Sequence, residues 1–376
     1  MSEISYDKIR GLHLEISTKC NSICDMCSRN YKGKVRENLL LAELTLEDCK
    51  KIMPSEFISQ LELISLCGVY GDPLTATHLL EIIDYFYLCN PEIHINIYTN
   101  GSLQNEEWWI KLAKTLKHGY VVFGIDGLEN THSIHRKNTD FNKIISNATA
   151  FIKAGGKARW DYIVFKHNEN QVEEAKTLSE KLGFEIFQIK KTSRFFKNLY
   201  EKDDSLDSTF LEYGKHPIFN ANGEIENYLE LPEKKEYIND SEEDLFNLIK
   251  DYGTLNNYFD SVKIDCAAIN TNGIFISAYG EVYPCCNIYQ QVRYGDLHNV
   301  KDNDELNEYN LAKNENLSAF DLQIKDIVEG PFFKKLQKSW HCNSLKEGKP
   351  KSCCRTCGIN LNMHKSGHEK MDKRYM

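Results

Sequence analysis

The chain has 376 residues, 41% of them hydrophobic and 27% charged, which suits a soluble globular protein of one large domain or two. A formal net charge of -9 argues against broad nucleic-acid binding. No apolar run could span a bilayer and no basic-then-apolar start resembles a signal peptide, so a cytoplasmic protein is expected. There its 13 cysteines read as iron–sulfur or zinc ligands rather than disulfides.

LHLEIS (12–17) reads as a strand, and TKCNSICDMCSRN (18–30) follows at once. It places Cys20, Cys24 and Cys27 at the spacing C-x3-C-x2-C. Three thiols are odd for disulfides and one short of a closed tetrahedral site, so they hold three corners and leave the fourth open. A helix near 45–53 opens at Thr45, a good N-cap. LELISL (61–66) is a second strand and THLLEIIDYFYLC (77–89) has helical apolar spacing. Strand IHINIYTN (93–100) and helix NEEWWIKLAKTL (105–116) follow, then strand YVVFGID (120–126) and helix FNKIISNATAFIKAG (141–155). Strand RWDYIVF (159–165), helix QVEEAKTLSEKLG (171–183) and strand FEIFQIK (184–190) complete six βα repeats. Such alternation predicts parallel strands around one sheet, open or barrel-like, with ligands at the strands' carboxyl ends. The three cysteines lie on that face.

Residues 191–260 lose this rhythm. Charge-rich stretches such as EKDDSLDS and LPEKKEYINDSEEDL surround one helix-like piece near 242–252, and the region reads as a bridge between domains. The aromatic RFFKNLY (194–200) suits either a substrate channel or interdomain packing. Cysteines then return. Cys266 precedes a β-hairpin within 270–286 that turns at Tyr279-Gly280 and ends at Cys285 and Cys286. HCNSLKEGKPKSCCRTCG supplies Cys342, Cys353, Cys354 and Cys357. Four cysteines suit zinc as well as an iron–sulfur cluster. Cys49, Cys67 and Cys89 sit in apolar-patterned segments and read as small buried hydrophobes, and the pair Trp108-Trp109 reads as core.

C-x3-C-x2-C directly after the first strand of a six-repeat βα domain resembles the radical S-adenosylmethionine superfamily. The resemblance implies a partial (β/α)6 TIM-like barrel over 1–190, a bridge over 191–260, and a C-terminal β-hairpin plus helical SPASM/twitch domain over 261–376. Cys20, Cys24 and Cys27 would hold a 4Fe–4S cluster whose fourth iron is chelated by the cosubstrate. CGVYGDPL (67–74) is similar to the family's Gly-Gly-Glu-Pro segment. Gly71, Asp72 and Pro73 match it, Asp replaces Glu, and Tyr70 stands in place of the first glycine. Thr99 and Asn100 in YTNG match the segment that ends strand three. FGIDGLENTHSIHR (123–136) looks like the family's Ser-x-Asp-Gly…Arg pattern. It retains Asp126 and Arg136 and has Gly124 in place of the serine. Arg136 would pair with the methionine carboxylate, a task for a planar fork of donors. Met26 stands where an aromatic is usual and would pack on adenine.

Spacing from Cys266 through Gly280 to Cys285 is similar to the start of a SPASM or twitch extension. The later cysteines depart from the full SPASM pattern, which favours one auxiliary 4Fe–4S cluster held by Cys266, Cys285, Cys354 and Cys357. Cys353 competes with Cys354, Cys286 and Cys342 are spare thiols able to substitute, and the pattern leaves room for a second auxiliary cluster. The implied activity is reductive cleavage of S-adenosylmethionine to a 5′-deoxyadenosyl radical that abstracts a substrate hydrogen. Its electron would come from a donor such as flavodoxin or ferredoxin. The substrate would be a ribosomally made peptide that is epimerised, crosslinked or oxidised. One alternative is a small molecule such as an amino sugar, dehydrogenated or epimerised; another is a non-enzymatic iron–sulfur or zinc binding protein, against which the intact triad and the loops after strands two, three and four argue. The sequence begins about ten residues before the first strand, so peptide recognition is expected to use a separate protein or the sheet edge and bridge.

Overall fold

A computed structural model describes residues 3–196, 213–297 and 307–359. Six strands carry the expected repeats: β1 (Gly11–Leu14), β2 (Leu63–Leu66), β3 (His94–Thr99), β4 (Val121–Gly124), β5 (Ala158–Ile163) and β6 (Ile186–Lys190). They pair in chain order and every pair is parallel. A parallel pair cannot be closed by a tight turn, so each connection carries a crossover helix. These helices are α1 (Leu46–Ile52), α2 (Leu79–Cys89), α3 (Glu106–Thr115), α4 (Phe141–Lys153) and α5 (Val172–Leu182).

Local chemistry sets their ends. Thr45 and Asp48 form a reciprocal capping box, and the Asn105 side chain accepts from the Trp108 amide. Asp140 caps α4 in the same way, and Gly183 ends α5 in the left-handed conformation. The buried faces of these helices and the sheet form one apolar cluster. Trp109 of α3 lies in it, fully buried, with its ring 5.1 Å from that of Phe123 in β4.

The C-terminal hairpin does not begin a separate sheet. Introducing β7 (Lys215–Phe219) and β8 (Ile225–Glu230) in the bridge, the hairpin strands become β9 (Gly273–Ile276) and β10 (Val282–Tyr283). β9 pairs parallel with β1, from Gly11 opposite Gly273 to Leu14 opposite Ile276, and β10 pairs antiparallel with β9. The sheet therefore has eight strands in the order β10-β9-β1-β2-β3-β4-β5-β6. Its linear order gives an open α/β sheet, a partial rather than a closed barrel. The cysteine loop after β1 sits inside the sheet, flanked by the cosubstrate-like loop on one side and the hairpin on the other.

The bridge is more structured than its charge suggests. The antiparallel β7–β8 ribbon is followed by α6 (Ser241–Tyr252), close to the expected helix, and by α7 (Leu255–Ser261). Ile218, Leu229, Leu245, Tyr258 and Phe259 bury a second apolar cluster there. EKDDSLDS and most of RFFKNLY lie outside the described residues. Beyond the hairpin come α8 (Cys286–Leu297), α9 (Pro331–Ser339) and α10 (Lys351–Cys357). Among the described residues, no helix is long and apolar enough to cross a membrane.

Trp109→Ala is expected to lower stability by about 3–5 kcal/mol in a urea titration, because it opens a cavity between α3 and β4 that neighbours cannot fill.

Candidate active site

The loop after β1 brings its three thiols together by short-range turns. The Cys27 amide donates to the Cys24 carbonyl at 3.1 Å, and the Asn30 amide donates to the Cys27 carbonyl at 2.9 Å. Ser22 lies 3.0 Å from Cys24 Sγ and donates to the Lys137 carbonyl at 2.8 Å. Cys24 is buried, while Cys20 and Cys27 are half-buried. Burial pushes the Cys20 thiol up to about 12, and Asp72 and the other two thiols add to this. Burial raises the Cys24 thiol as well, and two such neighbours ionise together only against positive charge, which a coordinated metal supplies. Among the described residues no three His, Cys, Asp or Glu side chains are arranged to hold a single ion. An iron–sulfur cluster asks something different, since it takes its thiolates at separate irons. The donor set fits such a cluster.

Asp72 organises the adjacent loops. Its carboxylate accepts from Thr99 Oγ1 at 2.9 Å to both oxygens, from the Asn100 amide at 2.8 Å and from the Leu74 amide at 3.0 Å. Its own amide donates to the Lys19 carbonyl at 2.8 Å. The side chain is buried among these partners, so it shapes the loop from within. Asn100 then reaches the cysteine loop: its side-chain amide lies 3.8 Å from Cys20 Sγ and donates to Asn21 Oδ1 at 2.9 Å. Pro73 is buried at the first position of a short 3-10 turn that Asp72 caps. Gly71 is required by close approach, since a Cβ there would sit 2.0 Å from the Ser17 carbonyl oxygen. Tyr70, in the place of the usual glycine, turns its ring inward against Tyr289, with centroids 5.8 Å apart.

At the end of β4, Asp126 accepts from Arg136 Nε at 2.5 Å, pairs with His135 Nδ1 at 2.8 Å and accepts from the Ile163 amide at 2.7 Å. Burial opposes its ionisation, but the Arg136 charge and the His135 hydrogen bond outweigh that and hold the carboxyl below the usual range. Arg136 thus spends its Nε on Asp126. Its terminal nitrogens lie over Gly124, where a Cβ would sit 2.8 Å from Nη2. The missing serine therefore has a physical reason: the guanidinium takes the space. The Cys24 and Cys27 sulfurs both favour the charged Arg136. His132 bonds the Asp126 amide and Thr139, a structural role. Met26, expected against adenine, is buried in the second apolar cluster with Phe165 and Phe195.

A second group of thiols forms where α10 meets the hairpin. The Asp265 amide donates to the Cys357 carbonyl at 2.8 Å, and the Tyr289 amide to the Cys285 carbonyl at 3.2 Å. Cys266, Cys285, Cys353 and Cys357 line one cavity of about 40 Å³. Burial pushes all four thiols up, and Cys285 and Cys353 are raised further by the other members. Four thiols facing one another are a donor set suited to a 4Fe–4S cluster.

Cys354, expected in this set, points elsewhere: its Sγ meets the Phe259 carbonyl at 3.6 Å. On α10, positions 353 and 354 both lie within one turn of Cys357, and only the packing of α7 against the other flank separates them. Cys342 does not line the cavity. Cys286 turns from its neighbour Cys285 toward Glu15 and Cys67. Sequence reading left Cys353 and Cys354 in competition and missed Glu15, a fully buried acid after β1; an acid within the apolar alternation of LHLEIS is its signal.

Residues 14–180 match the family model described as the Radical SAM superfamily. They are a radical SAM domain. The cofactors of this superfamily are a 4Fe–4S cluster and S-adenosylmethionine. Among solved structures, the chain is similar to Streptococcus suis SuiB bound to S-adenosylmethionine, at 16% identity and a TM-score of 0.53, covering 90% of this chain and 72% of that one. It is also similar to a histidine-tagged anSMEcpe with bound AdoMet, at 16% identity and a TM-score of 0.50, covering 96% and 88%. At this identity the likeness shows the shared fold. A search of the curated proteins found no match.

Asp126→Asn is expected to cost this radical SAM enzyme about 3 kcal/mol of stability, because it leaves the Arg136 charge without its buried partner. The native carboxyl is depressed, so its contribution is present above the unfolded value of 3.8 and lost only as pH falls through the lower folded value. The loss on mutation should therefore be equal at pH 5 and pH 8 in paired urea titrations.

Proposed function

We propose that Cys20, Cys24 and Cys27 hold the radical cluster and that the enzyme removes a hydrogen atom from a ribosomally made peptide. The observation that carries this reading is the three-thiol loop at the end of β1, met by Asn100 and Arg136 within the matched domain. Cys20, Cys24 and Cys27 would hold the cluster, which would supply one electron, taken from a donor of the flavodoxin or ferredoxin type, to cleave the sulfonium to methionine and a 5′-deoxyadenosyl radical. Residues of this chain position and shield. The backbone from Gly71 to Pro73 and the Thr99-Asn100 turn, fixed from behind by Asp72, would form the wall toward a bound methionine moiety. Arg136 offers its terminal nitrogens to a carboxylate while Asp126 fixes the plane of the fork. Cys266, Cys285, Cys353 and Cys357 hold one auxiliary 4Fe–4S cluster.

The fold shared with SuiB, whose structure is known with the precursor peptide SuiA at 15% identity and a TM-score of 0.52, supports a peptide substrate. So does anSMEcpe with the Kp18Cys peptide, at 16% identity and a TM-score of 0.51. Epimerisation, crosslinking and oxidation all begin with the same hydrogen abstraction, and this reading implies a cytoplasmic reaction, where reduced donors are available.

Anaerobically reconstituted protein should bind about eight irons, four per cluster. Replacing Cys20, Cys24 and Cys27 together with Ala should leave about four and abolish deoxyadenosine formation. Persistent cleavage would place the radical cluster elsewhere. Cys353→Ala should lose auxiliary iron and Cys354→Ala should retain it; the reverse would overturn the ligand set.

A further inference from the structure

Glu15 joins parts of the molecule that the mechanism needs in register. It follows β1 and is fully buried. Its amide donates to the Ile276 carbonyl of β9 at 2.9 Å. Its Oε1 accepts from the Val69 amide at 2.7 Å and from the Tyr70 amide at 2.6 Å, at the start of the loop after β2. Its carboxyl also faces the hydroxyl of Tyr289 of α8, which favours the ionised form. Two residues after Glu15, the Ser17 carbonyl abuts Gly71. The acid therefore grips the cosubstrate-like loop at one end while the cysteine loop closes on it at the other.

We propose that Glu15 is a positioning residue that sets the cosubstrate loop against the radical-cluster loop through the Val69 and Tyr70 amides, a buried charge kept for cosubstrate binding at a cost in stability. The proposal rests on the reading of residues 67–74 as the cosubstrate loop. A structural link alone would not call for an ionised group. Two amides are satisfied by any acceptor, and an uncharged one avoids the cost of burying a carboxylate. A charged acceptor makes shorter, stronger bonds and so a stiffer loop.

The surroundings agree. Burial raises the Glu15 carboxyl to about 7 from 4.5, against the pull of the backbone amides. The penalty is absent below the unfolded value and fully present above the folded one, so at pH 8 it is complete. Tyr70, Tyr279, Tyr289, Cys67 and Cys286 face the acid, and burial raises each of them, so they stay neutral at that pH. Arg293 and Arg36 are the cations beside the tyrosines.

The test compares wild type, Glu15→Gln and Glu15→Asp, each reconstituted with iron, at pH 8. Gln keeps the shape and an acceptor but removes the charge. Its thermal midpoint should rise by several degrees while its dissociation constant for S-adenosylmethionine increases about tenfold, with iron content unchanged. Asp keeps the charge on an arm one methylene shorter, and should weaken binding without the rise in midpoint. A Gln variant that loses midpoint and affinity together has lost only a structural acid, and the proposal falls. It falls equally if Gln gains midpoint with unchanged affinity, or loses iron from the radical cluster. Wild-type protein that holds its iron but binds no S-adenosylmethionine would instead overturn the reading of the cosubstrate loop itself.

Discussion

Buried acids at the strand ends tie each loop to the next, and the site depends on those ties. Glu15 after β1 takes amides from the loop after β2. Asp72 in that loop takes the Thr99 hydroxyl and the Asn100 amide at the end of β3. Asp126 after β4 takes the Ile163 amide at the end of β5, along with His135 and Arg136. Each reaches in the same direction, from one parallel strand to its neighbour. Loops on an open sheet have no ladder to fix their spacing beyond the last strand residue. A carboxylate with two acceptor oxygens bridges that gap, and a bond to a charged group is worth about 1.5–3 kcal/mol net. These ties join the ends of β1, β2 and β3 into one surface and the ends of β4 and β5 into another.

The hairpin at the other edge of β1 has a related consequence. β9 continues the sheet in parallel register, so the second thiol group is referenced to the same strand that delivers the first. Cys285 and Cys286 lie at the turn into α8 and diverge. One faces the four-thiol cavity and the other faces Glu15 and Cys67. The β1–β9 ladder therefore sets the separation of the two thiol groups directly, without passing through the bridge region.

Much of the fold was legible in the sequence because its signals are local. Period and caps gave the six strands and five crossover helices, and Thr45 and Asn105 cap as their side chains require. The cysteine loop was legible from spacing alone. What escaped depends on contacts distant in sequence. Pairing of β9 with β1 joins residues more than 250 positions apart, and nothing in GIFI distinguishes it from a hairpin that stands alone. The β7–β8 ribbon was hidden by charged residues on its solvent side, with Ile218 and Leu229 too sparse to set a period. Cys353 and Cys354 were equivalent on the helix until α7 occupied one flank.

Departures from the family pattern are the more informative cases, because the structure shows compensation at each. Gly124 accommodates a guanidinium already committed to Asp126, so the loss of a serine hydroxyl accompanies a closer Arg136. Tyr70 replaces a glycine by sending its ring inward against Tyr289, leaving its amide on Glu15, and Gly71 retains the close approach to Ser17. Asp72, one methylene shorter than the usual glutamate, holds its bonds within the loop rather than projecting beyond it. At Tyr70 and Asp72 side-chain groups withdraw from the cleft and backbone is left to form its wall, while at Gly124 the Arg136 guanidinium takes the freed space. A wall of backbone amides and carbonyls keeps its position when side chains change, so the geometry presented to a bound cosubstrate is set by the acids behind it.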